Sequence, residues 1–145
     1  MHAPYLYLYA GRHDLTVRRV DEWLATYDSS RQGLPDNEDM GCHSAFIIFG
    51  SLGIYPLMGQ NLYWLSAPVF PFAELQLGES GRTVRIERSG PDAGRCVEAA
   101  WLNGRPLARA WLTHDEISSG ALLQFKMTTE ETSWGRQQPP AAPLG

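Results

Sequence analysis

The residues best suited to chemistry crowd into one stretch, Gly33-Leu34-Pro35-Asp36-Asn37-Glu38-Asp39-Met40-Gly41. Three carboxylic acids and a carboxamide lie between a Gly-Leu-Pro turn and a glycine, and an apolar run from Ala45 to Leu52 follows. An acidic loop feeding a buried helix can hold a carboxylate at fixed geometry for proton transfer, or offer oxygen ligands to a hard cation. The same residues also fit a solvated turn with Asp39 as the helix N-cap. A second cluster, His114-Asp115-Glu116, looks metal-like, but with Thr113 before it the spacing is that of a capping box, Thr113 at N-cap and Glu116 at N3. Cys42 and Cys96 match no metal or redox spacing; they fit small buried apolar residues or, in an oxidising compartment, one disulfide.

Composition narrows the setting. The chain has 145 residues, 43% of them hydrophobic, which is enough for a core. A net charge of −4 with no Lys/Arg cluster argues against nucleic acid as a partner. The longest apolar run is too short to span a bilayer, so no membrane partner is expected. Met1-His2-Ala3-Pro4-Tyr5 has neither the charged nor the apolar region of a signal peptide.

The acidic loop must be held by what surrounds it. Tyr5 to Tyr9 is an aromatic run readable as a buried helix or a strand, with Pro4 available in a first turn. Asp14 can cap a helix from Leu15 to about Tyr27, whose Val17, Val20, Leu24 and Tyr27 share one face. After the loop, Met40 to Leu52 reads as a helix apolar on every side, which requires protein all round. The few helices of this chain cannot enclose it, so part of the structure is expected to lie upstream. From Leu62 the texture is β. Strands are predicted over Leu62–Leu65, Val69–Leu77, Thr83–Glu87, Val97–Leu102, Pro106–Leu112 and Ala121–Met127, the last offering Leu122, Phe125 and Met127 to a core. Asn103-Gly104 signals a type I′ hairpin. Trp101 and Trp111 flank it and are expected to pack across it, while Tyr63 and Trp64 read as interface core. Arg82, Arg85 and Arg88 read as solvated charge. The organisation predicted is a helical piece over 1–56, an antiparallel β module over 57–134 and a flexible tail over 135–145.

An ordered set of short motifs resembles a known family. It comprises His2-Ala3-Pro4-Tyr5-Leu6-Tyr7, Tyr9-Ala10-Gly11, Gly33-Leu34-Pro35, Asn37-Glu38-Asp39, Gly41, Ser44-Ala45, Leu52-Gly53-Ile54-Tyr55-Pro56, Ala67-Pro68-Val69-Phe70, Trp101-Leu102-Asn103-Gly104, Thr113-His114-Asp115-Glu116-Ile117 and Trp134-Gly135. Together they resemble the C-terminal part of glycoside hydrolase family 92, the calcium-dependent exo-acting α-mannosidases. The resemblance implies an α+β chain: the last helices of an (α/α)₆ barrel, then a small antiparallel β-sandwich-like module. It also implies inverting hydrolysis of terminal α-mannosides on mannose-containing glycans, in a secreted or periplasmic setting. Inversion uses a general acid and a general base about 6.5–9.5 Å apart.

By that resemblance Asp39 is the base and Asn37 occupies the position of a group that orients the attacking water. Glu38 and His2 fall to the sugar site. Asp39 at the start of a helix is expected to be favoured in its ionised form. The general acid and much of the calcium shell have no counterpart here and are expected in an upstream catalytic portion, which leaves the isolated chain inactive. Cys42-His43 and Phe46 stand where relatives commonly carry Gln-Met and Trp, and Asp36 where a Gly is usual. His43 fits a core or helix-surface histidine better than a sugar contact. The competing expectation is a stand-alone β-sandwich module that binds carbohydrate or protein without catalysis.

Overall fold

Pro4 sets the first element. In the computed structural model, which describes residues 2–141, Ala3–Ala10 forms a 3₁₀ helix with Pro in its first turn and Gly11 as a left-handed cap. Tyr5 and Leu8 are buried and Leu6 looks outward. Helix α1 spans His13–Leu24, two residues ahead of the expected start, because Asp14 does not cap it. The Asp14 carboxylate instead accepts from the Arg12 guanidinium at 2.6 Å, inside the first turn. Helix α2 spans Cys42–Leu52 and stops at Gly53, which has φ 74°. A Cβ at Gly53 would lie 2.7 Å from the Pro68 nitrogen, so no side chain fits where the helix turns into the sheet.

The residues after Gly53 begin a sheet. Strands β1 (Ile54–Pro56), β2 (Tyr63–Leu65) and β7 (Trp111–Leu112) form an antiparallel three-stranded sheet in the order β1-β2-β7. Strands β3 (Phe72–Gln76), β4 (Thr83–Ser89), β5 (Cys96–Leu102), β6 (Arg105–Leu107) and β8 (Ala121–Thr128) form a second sheet, ordered β3-β4-β8-β5-β6. The class is α+β, but the second sheet is mixed, since β4 and β8 run parallel. Parallel neighbours need a long crossover, and the excursion through β5, β6, β7 and the one-turn helix α3 (His114–Ile117) supplies it.

Three local expectations change for identifiable reasons. The segment 106–112 is two strands, not one, because the chain leaves one sheet for the other around Arg109. That side chain is tied to Glu116 and lies 4.5 Å over the Trp111 ring. Trp101 therefore pairs with Pro106 and never meets Trp111, which pairs with Trp64. In β8 the buried face is Ala121, Leu123, Phe125 and Met127, so Leu123 takes the core place expected of Leu122. A period of two fixes that choice once Phe125 and Met127 point inward. Arg88 is not solvated charge: its guanidinium donates to the carbonyls of Gly94 (2.7 Å), Asp92 (3.1 Å) and Pro91 (3.3 Å), closing the β4–β5 turn. The Asn103-Gly104 hairpin forms with φ of 51° and 76°, and Asn103 Oδ1 also accepts from the Leu122 N–H at 2.8 Å. The capping box at Thr113–Glu116 forms as well.

Two apolar cores join helices to sheets. One packs Val17, Leu52, Ile54 and Leu65 against the buried face of the five-stranded sheet. The other gathers Tyr5, Leu8, Val20, Phe46, Trp64 and Ala110. The position between residues 56 and 57 thus lies inside a hydrogen-bonded β1–β2 hairpin. After Trp134 the described part of the tail lies on the body: the Gln138 carbonyl accepts from the Trp111 indole at 3.0 Å. Residues 142–145 lie outside the described residues. Cys42 and Cys96 are free thiols. Among the described residues no helix is long and apolar enough to cross a membrane.

His13 gives this core a pH dependence. It is buried against Trp134 (4.7 Å, edge-on), and burial lowers its pKa to about 4, with a Ser66 backbone contact and the Asp14 carboxylate opposing. The folded value lies below the ordinary 6.5, so the unfolded chain binds more protons between the two. Stability from keeping His13 neutral is complete above pH 6.5 and is lost as pH falls toward 4, by on the order of 3 kcal/mol. Urea unfolding at pH 7 and pH 4.5 should show the loss, and His13→Gln should flatten it relative to wild type. An unchanged slope in the variant would mean that other groups carry it.

Candidate functional site

The acidic loop is built by backbone strain and by its two ends. Asp39, Met40 and Gly41 have φ of 35°, 59° and 83°, three successive residues in the left-handed region, two of them with side chains. Such conformations cost of order 1 kcal/mol or more each and persist where the surroundings impose them, often at working sites. At the loop's base the Tyr27 hydroxyl and His43 Nδ1 are hydrogen-bonded at 2.8 Å, joining the third residue past α1 to the second residue of α2. Burial, then the neighbouring Cys42 and Glu38, push the Tyr27 pKa up, so the phenol stays neutral. His43 is a buried histidine, as its sequence context suggested.

Within the loop the acids part company. Asp39 is not the helix cap; Gly41 holds the N-cap position. Glu38 reaches over the helix start instead, its Oε1 accepting from the Ser44 N–H at 3.1 Å, while its Oε2 is buried without a partner among the described residues. The Asp36 carboxylate accepts from the Asn37 N–H at 2.7 Å. Asp39 and Asn37 are exposed, and among the described residues their side chains make no hydrogen bond. His2, also exposed, stands at the start of the 3₁₀ helix and makes no side-chain cap bond. The structure thus brings Asn37, Glu38 and Asp39 together on one loop and divides their work: Glu38 anchors, Asn37 and Asp39 face outward. The positive φ values and the Tyr27–His43 tie were not legible in the sequence; Gly41 was their one visible trace.

Glu38→Ala should therefore destabilise the chain by about 1 kcal/mol, the usual worth of a helix N-terminal cap, whereas Asp39→Asn, which keeps a residue tolerant of the left-handed region, should leave the urea midpoint unchanged. Equal losses in the two variants would contradict this assignment of the cap.

Among the described residues no three His, Cys, Asp or Glu side chains converge closely enough to hold an ion. Asp36 and Glu38 are instead turned toward separate backbone amides.

An acidic loop is thus presented from the start of an apolar helix in an α+β fold. The profile described as "Glycosyl hydrolase family 92 catalytic domain" matches residues 1–129, and the chain belongs to that family. It is 30% identical over 150 residues to a protein of Arthroderma benhamiae named an uncharacterized secreted glycosidase, covering 99% of this chain and 20% of the relative. Among solved structures it resembles the family GH92 inverting mannosidase of Bacteroides thetaiotaomicron, at 30% identity and TM-score 0.84, over 95% of this chain and 19% of the other. A second α-mannosidase from that organism, solved with mannoimidazole, shares the fold at TM-score 0.88 and 23% identity, over 99% of this chain and 20% of the other. The chain thus spans about a fifth of the length of the relatives it matches.

Proposed function

We propose that this chain supplies the base side of an inverting exo-α-mannosidase site acting on terminal mannose of a glycan. The observation that supports it best is the strained loop, which exposes the Asp39 carboxylate while Glu38 and the Tyr27–His43 bond fix the backbone beneath it. Asp39 takes a proton from a water molecule as that water attacks the anomeric carbon, and Asn37 orients the water through its side-chain amide. Glu38 acts through the backbone it anchors rather than on substrate. His2 lines the sugar site from the exposed end of the 3₁₀ helix. Residues 1–56 are read as closing helices of an (α/α)₆ barrel and 57–134 as the β element after it.

The general acid and most of any calcium shell come from outside these residues, in the four-fifths of the family's length that this chain does not cover. A setting outside the cytosol fits a relative named as secreted. A separate binding module is less well supported: the Trp111 face is covered by Arg109 and its N–H is taken by Gln138, leaving little of it for a sugar.

The test is hydrolysis of an aryl α-mannoside by the 145-residue chain alone and by the chain assembled with the rest of a family 92 catalytic domain. The chain alone should be silent and the assembly active. Turnover by the chain alone would place the acid within these residues and overturn the division of labour.

A further inference from the structure

The outer face of the five-stranded sheet carries one unbroken row of side chains. Strand register sets Phe72 of β3 beside Glu87 of β4, Glu87 beside Gln124 of β8, Gln124 beside Trp101 of β5, and Trp101 beside Pro106 of β6. Their neighbours along the strands, such as Ile86, Leu123 and Ala100, face the core, so the row faces away from it. Phe72 is 55% exposed, Trp101 is partly buried, and among the described residues neither belongs to an apolar core. Three strand spacings put these two rings roughly 14 Å apart along the row. Between them the Gln124 side-chain amide donates to the Glu87 carboxylate at 2.8 Å, which holds an amide and a carboxylate side by side. A hollow of about 290 Å³ opens beside Phe72, Glu87 and Gln124.

We propose that this row is a glycan-binding platform for an uncharged oligosaccharide, on the sheet face opposite the one that packs Val17 and Leu52. A pyranose has an apolar face of C–H groups and a rim of hydroxyls that both donate and accept. Aromatic rings lie under such a face, and carboxylate and amide groups meet such a rim. Phe72 and Trp101 supply the rings, and the Glu87–Gln124 pair supplies the rim contacts. Charge selects the occupant. The rows on either side hold ion pairs that cancel, Arg85 with Glu74 and Lys126 with Glu98, each at 2.7 Å. Glu87 leaves the platform slightly negative, which disfavours a polyanion. An apolar protein surface laid here would strip water from the Glu87 carboxylate. The inference takes only the kind of sugar, mannose, from the reading above.

Calorimetric titration of the 145-residue chain with α-linked mannotriose tests it. Wild type should bind saturably. Trp101→Ala and Phe72→Ala should each weaken binding at least tenfold, while Trp23→Ala, on α1, should not. Phe72 stands exposed on an edge strand, so its variant keeps the fold even if Trp101→Ala does not. Absence of saturable binding by wild type, or undiminished binding by Phe72→Ala, would overturn the proposal. Loss of binding in Asp39→Asn but not in Trp101→Ala would assign the sugar to the acidic loop and overturn it too. So would loss of binding when the chain is assembled with the rest of a family 92 catalytic domain, which would give this face to that domain. The catalytic reading is judged separately, by turnover of Asp39→Asn in the assembled domain, so either can fail alone.

Discussion

Asp39→Asn in an assembled catalytic domain is expected to lower kcat by roughly 10²–10⁴-fold, with KM and the unfolding midpoint close to wild type. The carboxamide has nearly the same shape as the carboxylate but cannot take the proton that water loses on attack. Asp39 is exposed and makes no hydrogen bond through its side chain among the described residues, so the fold does not depend on it. That separation is what gives the measurement its force. The neighbouring Glu38→Gln should behave in the opposite sense, with a lower midpoint from a weakened cap on α2 and a smaller loss in turnover. If Asp39→Asn keeps full turnover while Glu38→Gln abolishes it, the base is Glu38, and its buried Oε2 becomes the reacting oxygen. Asn37→Ala should fall between them, since it orients a water and transfers no proton.

What could be read in advance follows from how local each feature is. The Asn103-Gly104 turn and the Thr113–Glu116 box are complete within four residues, so their geometry is written where they stand. The amphipathic face of α1 is likewise a matter of spacing. The parallel pairing of β4 with β8 joins Val84 to Ala121, and nothing near either residue announces the other. The same holds for Tyr27 and His43, sixteen positions apart. The cap of α2 was misplaced for a related reason. Asp39 stands where a cap normally would, but two left-handed residues and Gly41 swing the chain so that Glu38 reaches the helix amides first. The one long-range inference available from sequence was the apolar surplus of α2. Its partial exposure in the structure is the same fact seen from outside.

Trp64→Ala is expected to cost about 3–5 kcal/mol, the range for removing a large buried aromatic side chain. That approaches the whole stability of a domain this size, so the variant should be largely unfolded at 37 °C. Trp64 is 1% exposed and heads the fully buried side chains by size. It stacks on Tyr5 at 5.6 Å and on Tyr55 at 6.4 Å, and meets the edge of Tyr9 at 6.0 Å. In register it sits between Tyr55 of β1 and Trp111 of β7. One side chain therefore ties the 3₁₀ helix to the three-stranded sheet, and its loss leaves a cavity against three tyrosine rings that the sheet cannot close. Trp23→Ala, at 40% exposure, should cost no more than about 1 kcal/mol and serves as the control. Trp64→Phe sharpens the comparison. The indole N–H is buried with no partner among the described residues, so phenylalanine gives up area but also sheds an unpaired donor. Its urea midpoint should lie nearer wild type than Trp64→Ala. A Phe variant as unstable as the Ala variant would mean that the N–H is bonded in solution, and that polar pairing rather than stacking holds this junction.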